Sequence, residues 1–386
     1  MSSCWGRWQN TTTVMQNAFA QSIQLIRFML QNYEKISILW ILFSNFAQDM
    51  AKQRIEYIDV MRGFTMILVV FAHVCHFCLG DSRMGYNAVF ILFRLPCFFM
   101  ISGWLFESVA QRPFKEVAKH KAMVQLLPTF IFLLLLAPPP EFFHQLGALK
   151  GGYWFTFALF EYFILYMLMI RISRKWTPLM AVALTIGTFL YARYYDSLRS
   201  TADGYQLWLI DFFGFLSVTT WRLFLFFYLG TCIRRYFDTF IRWTDKPVVI
   251  VLITAVFAMI ASTSHHDNLM FEMFRFYVGG ITGMVMVFTF FRLSASWLKR
   301  WHISQPLQYV GKRTLDIYLL HFFFLPRFLM VYSPKLAAFD SRFVEFWVIL
   351  AVSLIVLALT LIASYTIRLS PFLGHYLFGV KYDKTA

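Results

Sequence analysis

From about residue 54 onward the chain alternates long apolar runs with short basic connections. The runs cover residues 64–80, 86–106, 122–137, 153–170, 177–194, 219–233, 247–262, 273–291, 314–330 and 343–366. Each is roughly long enough to take a helix across ~30 Å of hydrocarbon, and none shows the strict alternation of the ~10-residue strands of a membrane barrel. The pattern predicts an all-α, polytopic membrane protein with about ten transmembrane helices and no soluble domain. The apolar stretch 205–218 reads as a loop or re-entrant segment, with an additional span as the alternative. Residues 1–53 differ. Their apolar piece "ISILWILF" is too short to span, and no basic start or small-residue cleavage site marks a signal peptide. We expect 1–53 to comprise an N-terminal extension and a cytoplasmic lead, with translation starting at Met50. Residues 54–370 form the transmembrane domain and 371–386 a short cytoplasmic tail.

Composition strengthens this picture. With 59% hydrophobic and only 14% charged residues, the chain is too apolar for a soluble domain of its length. The net charge of +15 does not point to nucleic acid, because the basic residues lie between apolar runs rather than in one patch. If residue 52 lies inside, the inner connections collect Arg112, Lys115, Lys119 and Lys121, then Arg234, Arg235, Arg242 and Lys246, among others. The outer ones hold only Arg83, Lys150, Arg193, Arg199, Lys335 and Arg342. The positive-inside rule then places both core termini in the cytoplasm. Cys75 and Cys78 have the CxxC spacing but no second pair, and the adjacent His265 and His266 beside Asp267 cannot close a site alone, so no metal is expected.

The first run, "YIDVMRGFTMILVVFAHVCH", carries Arg62 near its start and His73 eleven residues later. A charge near the bilayer centre costs about 2.5–3.5 kcal/mol, so such residues pair or serve a function. Eleven residues return a helix to within about 20° of the same face, about 16 Å further along, so Arg62 and His73 line one groove. Asp59 can pair with Arg62 on that face, and His76 continues the stripe outward. The structural reading is that Arg62 snorkels to lipid phosphate and His73 bonds between helices. His321 is open to the same two readings. Arg94, Arg222, Arg275 and Glu161 also fall within runs, and Glu161 is expected to pair with one of these arginines or to contact substrate. Ser102 and Gly103 suit close helix approach better than nucleophilic chemistry, since no Gly-x-Ser-x-Gly elbow surrounds them.

"RIEYIDVMRGFTMILVVFAHV" resembles the opening of the membrane-bound acyltransferase 3 family, in which Arg and His are separated by ten residues. "FRLPCFFMISGWLF" (93–106), "YWFTFALFEYFILY" (153–166) and "YVGKRTLDIYLLHFFF" (309–324) resemble later segments of that family, in the same order. The resemblance covers about residues 54–370. It implies transfer of an acyl group, usually acetyl, from cytoplasmic acyl-CoA to a hydroxyl of a glycan or other cell-envelope molecule, without a metal, in the bacterial cytoplasmic membrane. Acetyl-CoA would be the co-substrate, and a glycan or lipid-linked sugar the acceptor. Many relatives carry a further soluble hydrolase-like domain, which this chain is expected to be without, since the sequence stops at Ala386 soon after the last run. That leaves room for a separate periplasmic or extracellular transferase partner. In this frame His73 is the general base or, second, an acyl-accepting nucleophile. Arg62 would hold the phosphates of CoA, with Arg94, Arg222 and Arg275 as further contacts. His321 would be a second catalytic group. The competing reading is a transporter or flippase of a glycan or lipid intermediate, which leaves the Arg62–His73 spacing unused.

Overall fold

The computed structural model describes residues 56–80, 85–136, 150–263, 268–334 and 341–379. The N-terminal extension with Met50 and the His265–His266–Asp267 loop lie outside these residues. Among the described residues the chain is helical, with no strand. The helices are α1 (Glu56–Leu79), α2 (Gly85–Glu107), α3 (Phe114–Leu136), α4 (Trp154–Ile172), α5 (Thr177–Thr201), α6 (Gly204–Phe215), α7 (Phe224–Arg235) and α8 (Phe237–Thr244). There follow α9 (Pro247–Ala261), α10 (Leu269–Leu293), α11 (Ala295–Arg300), α12 (Ser304–Lys312), α13 (Thr314–Phe324), α14 (Arg342–Arg368) and α15 (Pro371–Phe378).

Six of these, α1, α2, α3, α4, α10 and α14, are long and apolar enough to cross a membrane. Two bent pairs bring the number to at most eight: α6 with Val218–Arg235, broken at 50°, and α8 with α9, broken at 82°. The expected count of about ten is therefore not reached among the described residues. The run 177–194 does form a helix, but α5 continues into the polar "ARYYDSLRST". The run 314–330 gives only the 11 residues of α13, because Leu325 turns extended ahead of Pro326, which disfavours helix at the residue before it. The stretch 205–218 is helical as α6 and meets the next segment at Ser217, whose φ is +55°.

The described residues from Tyr57 onward form one compact unit. Between membrane helices there is little hydrophobic drive, since lipid tails are as apolar as leucine, so contact depends on close packing at small residues. Two glycine crossings show this. A Cβ on Gly63 of α1 would lie 1.9 Å from the Leu307 carbonyl oxygen of α12, and one on Gly311 the same distance from the Asp59 oxygen. At the crossing of α2 with α7, a Cβ on Gly103 would lie 1.9 Å from the Phe227 oxygen, and one on Gly230 2.0 Å from the Met100 oxygen. Gly103 thus serves the close approach expected of it.

Polar ties fix the rest. Glu107 at the end of α2 accepts from Arg235 of α7 at 2.8 Å and from the Tyr166 hydroxyl of α4 at 2.5 Å. Asp316 of α13 is buried and accepts two bonds from Arg368 of α14, at 2.7 and 2.9 Å, and one from Ser364 at 2.5 Å. Tyr153 donates to the Leu319 carbonyl at 2.7 Å, and Tyr318 donates to the Gly152 carbonyl at 2.9 Å. Short as it is, α13 is therefore held to both α14 and the start of α4. The first helix, α1, is the most enclosed of the span-length helices. It is 78% buried over its apolar window, against 28% for α14.

Candidate active site

One face of α1 lines a cavity of about 400 Å³. Arg62, Met66, Val69 and His73 lie on it at steps of four, three and four residues, the repeat that keeps one helical face in view. The opposite walls come from Arg94, Phe98 and Ser102 of α2, from Leu159 and Phe163 of α4, and from Thr314 and Tyr318 of α13, among others. The third helix contributes Lys121, Val124 and Gln125 through a π turn, Ala122–Leu126. Pro128 follows closely and has no N–H to offer the Val124 carbonyl, which is where a regular α ladder would fail.

Arg62 donates to the Thr314 hydroxyl at 2.7 Å and lies 3.7 Å from the Asp59 carboxylate. Lys121, within electrostatic reach of Arg62, packs its ammonium 4.5 Å from the centre of the Phe163 ring. Two cations therefore share one end of the cavity. Arg94 donates to the Asn87 side chain at 3.0 Å and, at a longer 3.4 Å, to the Leu68 carbonyl, and its charge reaches His73.

At the other end His73 meets His321. Nδ1 of His73 and Nε2 of His321 are 2.7 Å apart, and the two rings are within 10° of parallel. Nδ1 of His321 lies 2.8 Å from the Ile317 carbonyl oxygen. A carbonyl oxygen only accepts, so this nitrogen carries the hydrogen. In the neutral ring the lone pair of His321 then lies on Nε2, which makes Nδ1 of His73 the donor between the rings. The lone pair of a neutral His73 is left on Nε2, on a side chain that lines the cavity. His321 itself is fully buried and stands behind His73, away from the cavity wall.

The structure brings Arg62, His73, Arg94 and Ser102 to one cavity, with Asp59 and His321 immediately behind. It does not bring the others. Ser102 bonds back to the Phe98 carbonyl at 2.8 Å. His76 is exposed, with its ring against Phe77. Arg222 packs over Phe276, and neither it nor Arg275 lines the cavity. Glu161 does not take an arginine partner. It accepts from the Trp221 indole at 2.7 Å, because the face of α4 that bears it points to the 218–223 segment. It interacts electrostatically with Lys150, whose amine donates to the Phe215 carbonyl at 2.6 Å and whose pKa is pulled down to about 8 by burial, with Glu161 acting in the opposite sense. Lys121, Gln125 and Thr314 are cavity residues that the sequence reading did not single out. The signal for Lys121 was its place as the last of a run of basic residues leading into an apolar helix. Among the described residues no cluster of three or more metal-ligating side chains occurs.

An all-helical, apolar bundle in which Arg62, Arg94, Lys121 and His73 face one cavity, with His321 behind His73, has the build of a membrane-embedded transferase. The sequence model of the acyltransferase 3 family, described as an acyltransferase domain, matches residues 55–369, and the chain belongs to that family. No curated protein and no solved structure matches it.

Proposed function

We propose that this protein is an acyl-CoA-dependent O-acyltransferase of the bacterial cytoplasmic membrane, moving an acyl group, acetyl first among the candidates, to a hydroxyl of a cell-envelope glycan or lipid-linked sugar. The observation that carries this reading is the single cavity with Arg62 and Lys121 at one end and the His73–His321 pair at the other. A hydroxyl is a poor nucleophile until a base removes its proton. His73 Nε2 takes that proton as the oxygen attacks the thioester carbonyl. His321 Nε2 accepts from His73 Nδ1–H throughout, which holds the ring in the productive tautomer and favours the imidazolium that forms. Collapse of the tetrahedral adduct breaks the carbon–sulfur bond, and His73 returns the proton to the departing CoA thiolate. Ester and free CoA are the products, and the base is restored.

Arg62 carries fixed positive charge for the CoA phosphates and Lys121 adds its amine beside it, with Thr314 and Asp59 setting the Arg62 guanidinium. Arg94 adds positive charge near the reacting end. The rise of α1 puts about 16 Å between the Arg62 and His73 positions, a span suited to the pantetheine arm. The distribution of basic residues supports cytoplasmic entry at the Arg62 end and cytoplasmic core termini.

The test is CoA release from acetyl-CoA by the purified protein in nanodiscs with an envelope-glycan extract. Release that falls by about 10²–10⁴-fold in His73→Ala, and a raised KM for acetyl-CoA in Arg62→Ala, are the expected results. Full release by folded His73→Ala would overturn the assignment of the base. Absence of release with every acyl-CoA tried would overturn the reaction.

A further inference from the structure

A second concavity lies far from the chemistry in sequence and in character. Between α9 and α10 runs a groove of about 420 Å³, walled by Thr244, Ile250, Thr254, Met286, Phe290 and Leu293 among others. Phe290 and Leu293 are more than half exposed, as are Val251 and Leu252 on the neighbouring face of α9, so the groove opens sideways where lipid would lie. Its mouth is polar and cationic. Arg242 and Lys246 are exposed beside it, with the Lys246 ammonium 4.5 Å from the centre of the Trp243 ring. Arg292 pairs with Asp245 at the same end, and the chain leaving the groove continues into α11 with Lys299, Arg300 and the exposed Trp297 and Trp301. Arg242, Lys246 and Arg292 outnumber Asp245 at this mouth. Tryptophans and basic residues at the end of an apolar groove mark the headgroup level of a bilayer.

We propose that this groove holds an acyl chain of an anionic phospholipid whose phosphate rests against Lys246 and Arg242. An apolar channel alone suits any lipid, and the cationic mouth selects among headgroups. Occupancy has a route to the catalytic helix. Phe288 and Phe291, on other faces of α10, pack against Tyr57 and Phe64 of α1 with ring centroids 5.6 and 5.2 Å apart. A lipid filling the α9–α10 groove therefore braces the helix that braces the Arg62 end of α1.

The experiment is native mass spectrometry of the full chain released from nanodiscs of equimolar phosphatidylcholine and phosphatidylglycerol. Wild type is expected to retain phosphatidylglycerol in clear excess over phosphatidylcholine. Lys246→Gln should retain roughly fivefold less of it, the effect of losing one cation near an anionic surface. Thr254→Trp, which fills the groove from the exposed face of α9, should retain neither lipid at this stoichiometry. Retention of the two lipids in their bulk ratio, or unchanged phosphatidylglycerol retention in both variants, would overturn the proposal. Lys246 is a surface residue, so its variant reads out even if the tryptophan variant fails to fold.

Discussion

At the scale of single residues, base catalysis by His73 depends on which of its ring nitrogens holds the lone pair. The Ile317 carbonyl settles this two steps away, through His321. Removing His321 leaves His73 free to take the other tautomer, with its hydrogen toward the cavity and no base there. His321→Ala is therefore expected to lower kcat while leaving the KM for acyl-CoA near wild type, and to do so less severely than the ~10²–10⁴-fold loss expected for His73→Ala. His321→Gln, whose side-chain oxygen can accept from His73 Nδ1–H, should recover part of the lost rate. A purely structural histidine predicts neither the kcat–KM split nor the rescue, so steady-state kinetics of the three variants decides. The shared face of Arg62 and His73 was legible because both lie on one helix, where spacing fixes direction. The pairing of His73 with His321 was not, because 248 residues separate them and only helix packing joins them. Lys121 was hidden for a similar reason. It sits at the end of "FKEVAKHK", which reads as an ordinary basic connection until the π turn carries it into the cavity wall.

At the scale of helices, the glycine crossings position the charges. Gly63 neighbours Arg62, and its missing side chain lets α1 touch the backbone of α12, which leads directly into Thr314, the residue that accepts from Arg62. A methyl group at Gly63 would meet a carbonyl oxygen, which cannot rotate aside as a side chain can. Gly63→Ala is expected to cost about 1–3 kcal/mol by overpacking and also to raise the KM for acyl-CoA, because α1 and α13 separate at the arginine. Gly230→Ala meets the same obstacle at the α2–α7 crossing, outside the cavity. It should lower thermal stability comparably and move KM less. Equal KM changes in the two variants would show that the crossing at Gly63 has no special role in placing Arg62. The run pattern located the long apolar helices, since apolar length is a direct property of sequence, but not α6, α8, α11, α12 and α15, which lie outside the runs. It misjudged how many are span-length, because the breaks at Ser217 and after Phe324 depend on backbone turns that hydropathy does not register.

For the whole molecule, the open matter is how two reactants that differ in charge and size reach one cavity. The lining supplies a direction. Lys121 and Arg62 stand at one end of it, while His73, Gly152 and Trp154 stand towards the opposite end of their helices. With α1 rising from the basic connections and α4 descending towards Arg171, the first end faces the side rich in lysine and arginine. An anionic donor should enter there and a hydroxyl acceptor from the Trp154 side. Thiol labelling in sealed membranes tests this, and the native cysteines favour it. Cys75, Cys78 and Cys97 are buried, so only Cys4 and the partly exposed Cys232 need replacing by serine. In that background Lys121→Cys should react with a membrane-impermeant maleimide from the cytoplasmic face and be shielded by acyl-CoA. Trp154→Cys should react from the opposite face and be indifferent to acyl-CoA. Labelling of both from one face would mean that donor and acceptor share an entrance, and His73 would then serve a cavity open on a single side.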